Sequence, residues 1–95
     1  MVTHMHIAFR VEDYDQWKSG YDASSERRRA AGETSYQVFR DLADRNLVTV
    51  VSMQESAEGV QAFLDSPGLA EAMKASGVVE MGRVLLLEEV DRGVL

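Results

Sequence analysis

The chain has 95 residues, a formal net charge of −6 and 45% hydrophobic residues, which fits one ordinary globular domain and argues against disorder. It has no cysteine, so disulfides, thiolate nucleophiles and cysteine-ligated metals are excluded. The acidic balance speaks against nucleic-acid binding, which needs a basic surface for phosphate contacts. The longest apolar run, residues 84–87, is too short to cross a bilayer, and the N-terminus shows no signal-peptide pattern. The expectation is a cytoplasmic protein that touches neither membrane nor nucleic acid.

Residues 4–11 read as a first strand. Met5, Ile7, Phe9 and Val11 share one face; His4, His6, Ala8 and Arg10 share the other. Asp13 then has the character of a helix N-cap, with Gln16 three residues on and Asp15 favouring the positive end of the helix dipole. One helix is predicted over residues 14–31, ending at Gly32. Tyr14, Trp17, Tyr21, Ser24 and Arg28 line one of its faces, where a purely structural helix more often carries aliphatic residues.

Residues 35–53 read as strand, turn, strand. The arms, 35–40 and 47–53, are rich in β-branched and aromatic residues, and the polar stretch 41–46 forms the turn. The second arm is apolar on both faces, which places it centrally and covered on both sides. Ser56 caps a second helix with Val60, Phe63 and Leu64 on its buried stripe. Asp65-Ser66-Pro67 is a break and restart, with Ser66 as cap and Pro67 at the first helical position, and Gly77 ends the helix. Residues 84–90 form the last strand and 91–95 a tail, so the domain spans residues 1–90.

The order β-α-β-β-α-β predicts an α+β, ferredoxin-like fold: a four-stranded antiparallel sheet with two helices on one face. The other sheet face keeps apolar residues that nothing in the chain covers. A second copy packed sheet to sheet would cover them, which predicts a homodimer.

Val11-Glu12-Asp13 followed by Trp17, the segment from Gly32 through Val38-Phe39-Arg40-Asp41, Asp44-Arg45-Asn46, and Phe63-Leu64-Asp65-Ser66-Pro67 leading to Met73 and Gly77-Val78 carry a resemblance. Together they resemble small actinobacterial antibiotic biosynthesis monooxygenase-like proteins of the dimeric α+β barrel superfamily. The resemblance implies a sheet-to-sheet homodimer and a cofactor-independent enzyme. That enzyme would oxygenate an aromatic or polyketide-like substrate, or cyclise or isomerise it; the alternative expectation is a non-catalytic dimer that binds a hydrophobic small molecule or assists a larger enzyme. The Trp, Asn, Tyr and Arg set of the cofactor-free anthrone oxygenases does not map position by position onto this chain. Neither does the strand Asn and helical His of the haem degraders.

His4 and His6 are the only histidines. Three roles are open to them: solvated or interfacial residues near the chain start, a general base in a cavity, or a metal pair completed by Glu12 or Glu55. Trp17, Tyr21 and Tyr36 suit either a plain core or a pocket for a flat ligand. Arg28 either reaches water, meets Asp22 or Asp41, or stabilises an oxyanion. Arg40 and Asp41 suit an ion pair that shapes the turn. Met53, Phe63 and Met73 read as core, and methionine also suits an adaptable pocket wall. The expected catalytic set is His6, His4, Tyr21 and Arg28; the expected substrate-binding set is Trp17, Tyr36, Phe63 and Met73, with no metal and no cofactor. No P-loop, dinucleotide fingerprint or nucleophile elbow is present.

Overall fold

The computed structural model describes residues 2–95. Its elements run β1 (Thr3–Val11), α1 (Tyr14–Ala23), α2 (Ser25–Ala30), β2 (Glu33–Arg40), β3 (Leu47–Gln54), α3 (Ala57–Leu64), α4 (Leu69–Ala75) and β4 (Val78–Leu87). The strands form one antiparallel sheet in the order β2-β3-β1-β4. This is the ferredoxin-like arrangement that the order of elements predicts.

Alternation along β1 and β3 builds the core. Ile7, Phe9, Val11, Val48 and Val50 are buried with Trp17 of α1. Ser52 and Gln54 continue the same face and are buried too. The opposite face carries His4, His6, Ala8 and Arg10 of β1, in register with Met53, Val51, Thr49 and Leu47 of β3. Within the single chain the helices cover one side of both central strands, and Met53 lies on the open face rather than in the core.

Asp13 caps α1 as its sequence predicts: its carboxylate accepts the Gln16 backbone N–H at 3.0 Å. The single helix expected over 14–31 is broken at Ser24, where the backbone turns to φ −90°, ψ 5°. The Ser24 hydroxyl donates to the Tyr21 carbonyl at 2.7 Å, a local bond that competes with the helix ladder. Gly32, at φ 108°, stops α2 in the left-handed conformation.

Two more boundaries differ from expectation. Ser66 is not the cap of α4: its hydroxyl turns back to the Phe63 carbonyl at 2.6 Å, and Gly68, at φ 83°, occupies the cap position. The last strand begins six residues earlier than expected and ends at Leu87 rather than Val90, leaving residues 88–95 without helix or strand. Glu80, Gly82 and Arg83 hide its start in the sequence. The register steps from Ile7↔Val84 to Phe9↔Met81, so β4 holds an extra residue opposite Ala8. Gly82 fits there because a Cβ would lie 2.6 Å from the Ala8 carbonyl oxygen.

The turn between β2 and β3 is built by Asp41 and Asp44. The Asp41 carboxylate accepts from the backbone N–H groups of Ala43 and Asp44 at 2.9 and 2.8 Å. Arg10 of β1 reaches Asp44 at 2.6 Å. That bond, with the Asn46 backbone N–H, holds the Asp44 carboxyl below its ordinary pKa. Among the described residues Arg40 meets no carboxylate: it donates to the Arg45 carbonyl at 2.8 Å and lies over the Tyr14 ring.

Candidate functional site

A cavity of about 120 Å³ lies between the helix-covered sheet face and the helices. Met5, Ile7, Phe9 and Val50 form its floor; Trp17 and Tyr21 of α1 form one wall. Val60 and Phe63 of α3 with Leu69 and Met73 of α4 form the other. Most of the lining is apolar, and the polar groups gather at one end around Arg28, Glu33 and Gln54.

The aromatic wall is a continuous stack. Trp17 lies 4.9 Å from Tyr21 at an interplanar angle of 27°, and 5.2 Å from Phe9. Such pairs orient one another beyond simple area burial. Arg28 then covers Tyr21, with its guanidinium carbon 3.7 Å from the ring centroid. The break at Ser24 makes this possible. It exposes the Tyr21 carbonyl, which accepts from Arg28 Nη2 at 3.1 Å, while Arg28 Nε donates to the Ser24 hydroxyl at 3.1 Å.

The remaining nitrogen, Arg28 Nη1, pairs with Glu33, and both side chains are more than nine-tenths buried. The partner of Arg28 is thus Glu33, not Asp22 or Asp41; Asp22 instead pairs with Lys18 on the surface. Gln54 donates to Ser52 at 2.8 Å and lies 3.5 Å from the second Glu33 oxygen. Burial pushes the Glu33 carboxyl above the ordinary carboxylate range, against the pull of Arg28 and Gln54. Burial likewise raises the Tyr21 phenol, which stays a neutral donor near pH 7. Its hydroxyl is buried and has no hydrogen-bond partner among the described residues.

Sequence periodicity missed Glu33 for a definite reason. Counting back from Tyr36 by twos places Glu33 on the opposite face. The register slips between Glu33 and Ser35, so Glu33 stands opposite Gln54 and turns inward. An apolar strand face that ends in Ser52 and Gln54 was the available signal, since buried polar groups need partners.

Of the expected site residues, Tyr21, Arg28, Trp17, Phe63 and Met73 line this one cavity. His4 and His6 do not: they alternate with Met5 and Ile7 and lie on the open sheet face, beside Met53 and Val51. Tyr36 is on the helix side and meets Tyr21 edge-on at 5.4 Å. It is 45% exposed and borders a separate polar cleft with Arg28 and Glu33, so it does not share the cavity of Trp17 and Tyr21. Among the described residues no cluster of three or more His, Asp or Glu is placed to hold a metal ion.

No family model and no curated protein sequence matches the chain. Solved structures do match in three dimensions. SnoaB, a cofactor-independent oxygenase from Streptomyces nogalater, superposes with a TM-score of 0.77 over 96% of this chain and 95% of its own, at 14% identity. A Bordetella bronchiseptica protein provisionally assigned as an antibiotic biosynthesis monooxygenase gives 0.75 over 94% and 97%, at 17% identity. The fold is that of the antibiotic biosynthesis monooxygenase-like proteins. A further antibiotic biosynthesis monooxygenase shares it at a TM-score of 0.69 over 96% of this chain and 100% of its own, with 14% identity. At such identities the monooxygenase-like likeness is one of backbone architecture, and function has to be argued from the site.

Proposed function

We propose that the chain is a small cofactor-independent enzyme that oxygenates a phenolic or enolisable aromatic compound, of the polyketide-like kind. One observation carries this: an apolar, aromatic-walled cavity ends in a buried ion pair and an unpartnered phenol hydroxyl. A flat ring stacks beside Trp17 and Tyr21, and its oxygen meets the Tyr21 hydroxyl, which has no partner among the described residues.

The proton acceptor in this scheme is Glu33, because the histidines lie on the other side of the sheet. Burial raises its pKa, which makes it a stronger base than an exposed carboxylate. Removing a proton from the activated ring carbon gives an enolate. Tyr21 and Arg28 stabilise its oxygen in a site shielded from water. Dioxygen, the co-substrate, accepts an electron from the enolate, and the pair combines to a hydroperoxide at that carbon. Loss of water leaves a carbonyl: a CH₂ group and O₂ become C=O and H₂O. The substrate supplies the electrons, so flavin and metal are not required.

An oxygen electrode with anthrone as substrate tests this. Uptake of one O₂ per anthraquinone formed, lost in Glu33→Gln, is the expected result. The enolate could instead attack an internal carbonyl, giving cyclisation without oxygen uptake. The position of the histidines favours a second outcome, ligand binding without turnover. In that case aromatic compounds quench Trp17 fluorescence while no oxygen is consumed.

The proposed assembly is a homodimer of this chain through the open sheet face. That face presents Val51, Met53, Leu85 and Leu87 around His4 and His6, and Phe39 at 49% exposure. A second copy would bury these side chains, and the histidines would then be interfacial.

A further inference from the structure

The cavity of about 120 Å³ is well below the roughly 300–1,000 Å³ of pockets for multi-ring ligands. It admits a single ring as it stands. Helix α4 separates it from two larger spaces: a cleft of about 410 Å³ toward α1 and one of about 690 Å³ toward β4. Leu69 and Met73 border all three. Trp17 and Tyr21 border both the cavity and the α1 cleft.

Helix α4 is weakly held, and unequally so at its two ends. It has seven residues, none of them buried. Its C-terminal end is fastened: Ser76 packs so closely on Gly20 that a Cβ there would lie 3.2 Å from the serine Cβ, and the Gly77 carbonyl accepts the Glu12 N–H at 2.8 Å. Its N-terminal end follows an exposed turn. Gly68 is left-handed and caps the helix without a side-chain bond, and no described residue beyond its own chain neighbours crowds the place a Cβ would take. A helix pinned at one end with open space on both flanks is placed to pivot about that end, and Leu69 lies at the free end.

Building on the functional proposal for this cavity, we propose that Leu69 is the residue that selects substrate size. One ring passes with Leu69 in place; a fused three-ring phenol enters between α1 and α4 only when Leu69 swings out, joining the cavity to the 410 Å³ cleft. Met73, nearer the fastened end, is part of the wall rather than the gate.

Trp17 is the only tryptophan and lines the cavity, so its fluorescence reports occupancy directly. Stopped-flow quenching by phenol and by 2-anthrol, in the full chain, tests the proposal. Leu69→Ala is expected to raise the ratio of 2-anthrol to phenol association rates at least about tenfold. Leu69→Phe slows 2-anthrol selectively. Met73→Ala changes affinity for both probes without altering their ratio of association rates. If Leu69→Ala folds poorly, Leu69→Val gives the same test with less packing removed. Equal effects on both probes, or none, overturn the gate while leaving the cavity as the ligand site. Failure of phenol to quench wild-type Trp17 overturns the functional proposal, and the gate with it.

Discussion

Arg28 lies over the Tyr21 ring at 3.7 Å while its Nη2 donates to the carbonyl of the same residue at 3.1 Å. The two residues are seven apart, so a straight helix would hold them two turns from each other. The break at Ser24 shortens that path. One guanidinium thereby orients the aromatic wall, fills the end of the cavity and neutralises Glu33.

Removing one member of the buried pair should be costly. Arg28→Met leaves Glu33 buried without its cation, and a loss of roughly 3–5 kcal/mol in urea denaturation is expected. Arg28→Met combined with Glu33→Leu should recover most of it, since no charge then remains to be desolvated. A double variant as unstable as the sum of the singles would mean that the ion pair is not the dominant interaction.

Tyr21→Phe should separate stability from function. The Tyr21 hydroxyl is buried without a partner among the described residues, and such a group typically costs about 1–3 kcal/mol. Its removal should therefore raise the melting temperature. Turnover of an anthrone-like substrate should fall by about 10²–10³-fold, the usual loss for one oxyanion donor. A variant that is destabilised and fully active would contradict both roles.

Glu33 sets a pH dependence of definite sign. Its folded pKa is raised above 4.5, so its contribution is complete below that value and is lost as pH rises through the folded pKa. The stability of wild type minus that of Glu33→Gln should fall across this window and then level off. Asp44 acts oppositely. Its folded pKa lies below 3.8, so its contribution is present above that value and is lost as the solution is acidified further. Thermal melts of wild type, Glu33→Gln and Asp44→Asn between pH 3 and 8 would separate the two; a difference curve rising with pH for Glu33 would rule out its assignment.

Gly82→Ala probes the bulge in β4. A Cβ would meet the Ala8 carbonyl oxygen at 2.6 Å, and backbone on both sides leaves nothing flexible to yield. A destabilisation of about 1–3 kcal/mol is expected, as for other overpacked sites. Hydrogen exchange should show it as lost protection in β4 and the facing part of β1, with β2 and β3 unaffected.

Val51→Lys addresses the assembly. Val51 stands between His6 and Gln37 on the open sheet face, so a lysine there projects away from the core. Sedimentation should show a dimer for wild type and a monomer with unchanged circular dichroism for the variant. A monomeric wild type would remove the homodimer from consideration.

Much of the architecture was legible in the chain because it follows from local chemistry. The period-two pattern of Met5, Ile7, Phe9 and Val11 set the inward face of β1, and Asp13, Ser56, Gly32 and Gly77 marked helix ends through caps and left-handed turns. Helical spacing alone put Trp17, Tyr21 and Arg28 on one face, and that face does line the cavity. What only the tertiary structure decided lies where a local rule is broken by a distant contact. The slip at Thr34 turned Glu33 inward, the bulge at Gly82 lengthened β4, and the Ser24 break brought the Ser24 hydroxyl and the Tyr21 carbonyl to Arg28. The side of the sheet on which the histidines lie was implicit in the alternation. Whether that side meets the cavity depended on where the helices pack, and they pack on the face of Ile7, Phe9 and Val50, removing those side chains from water.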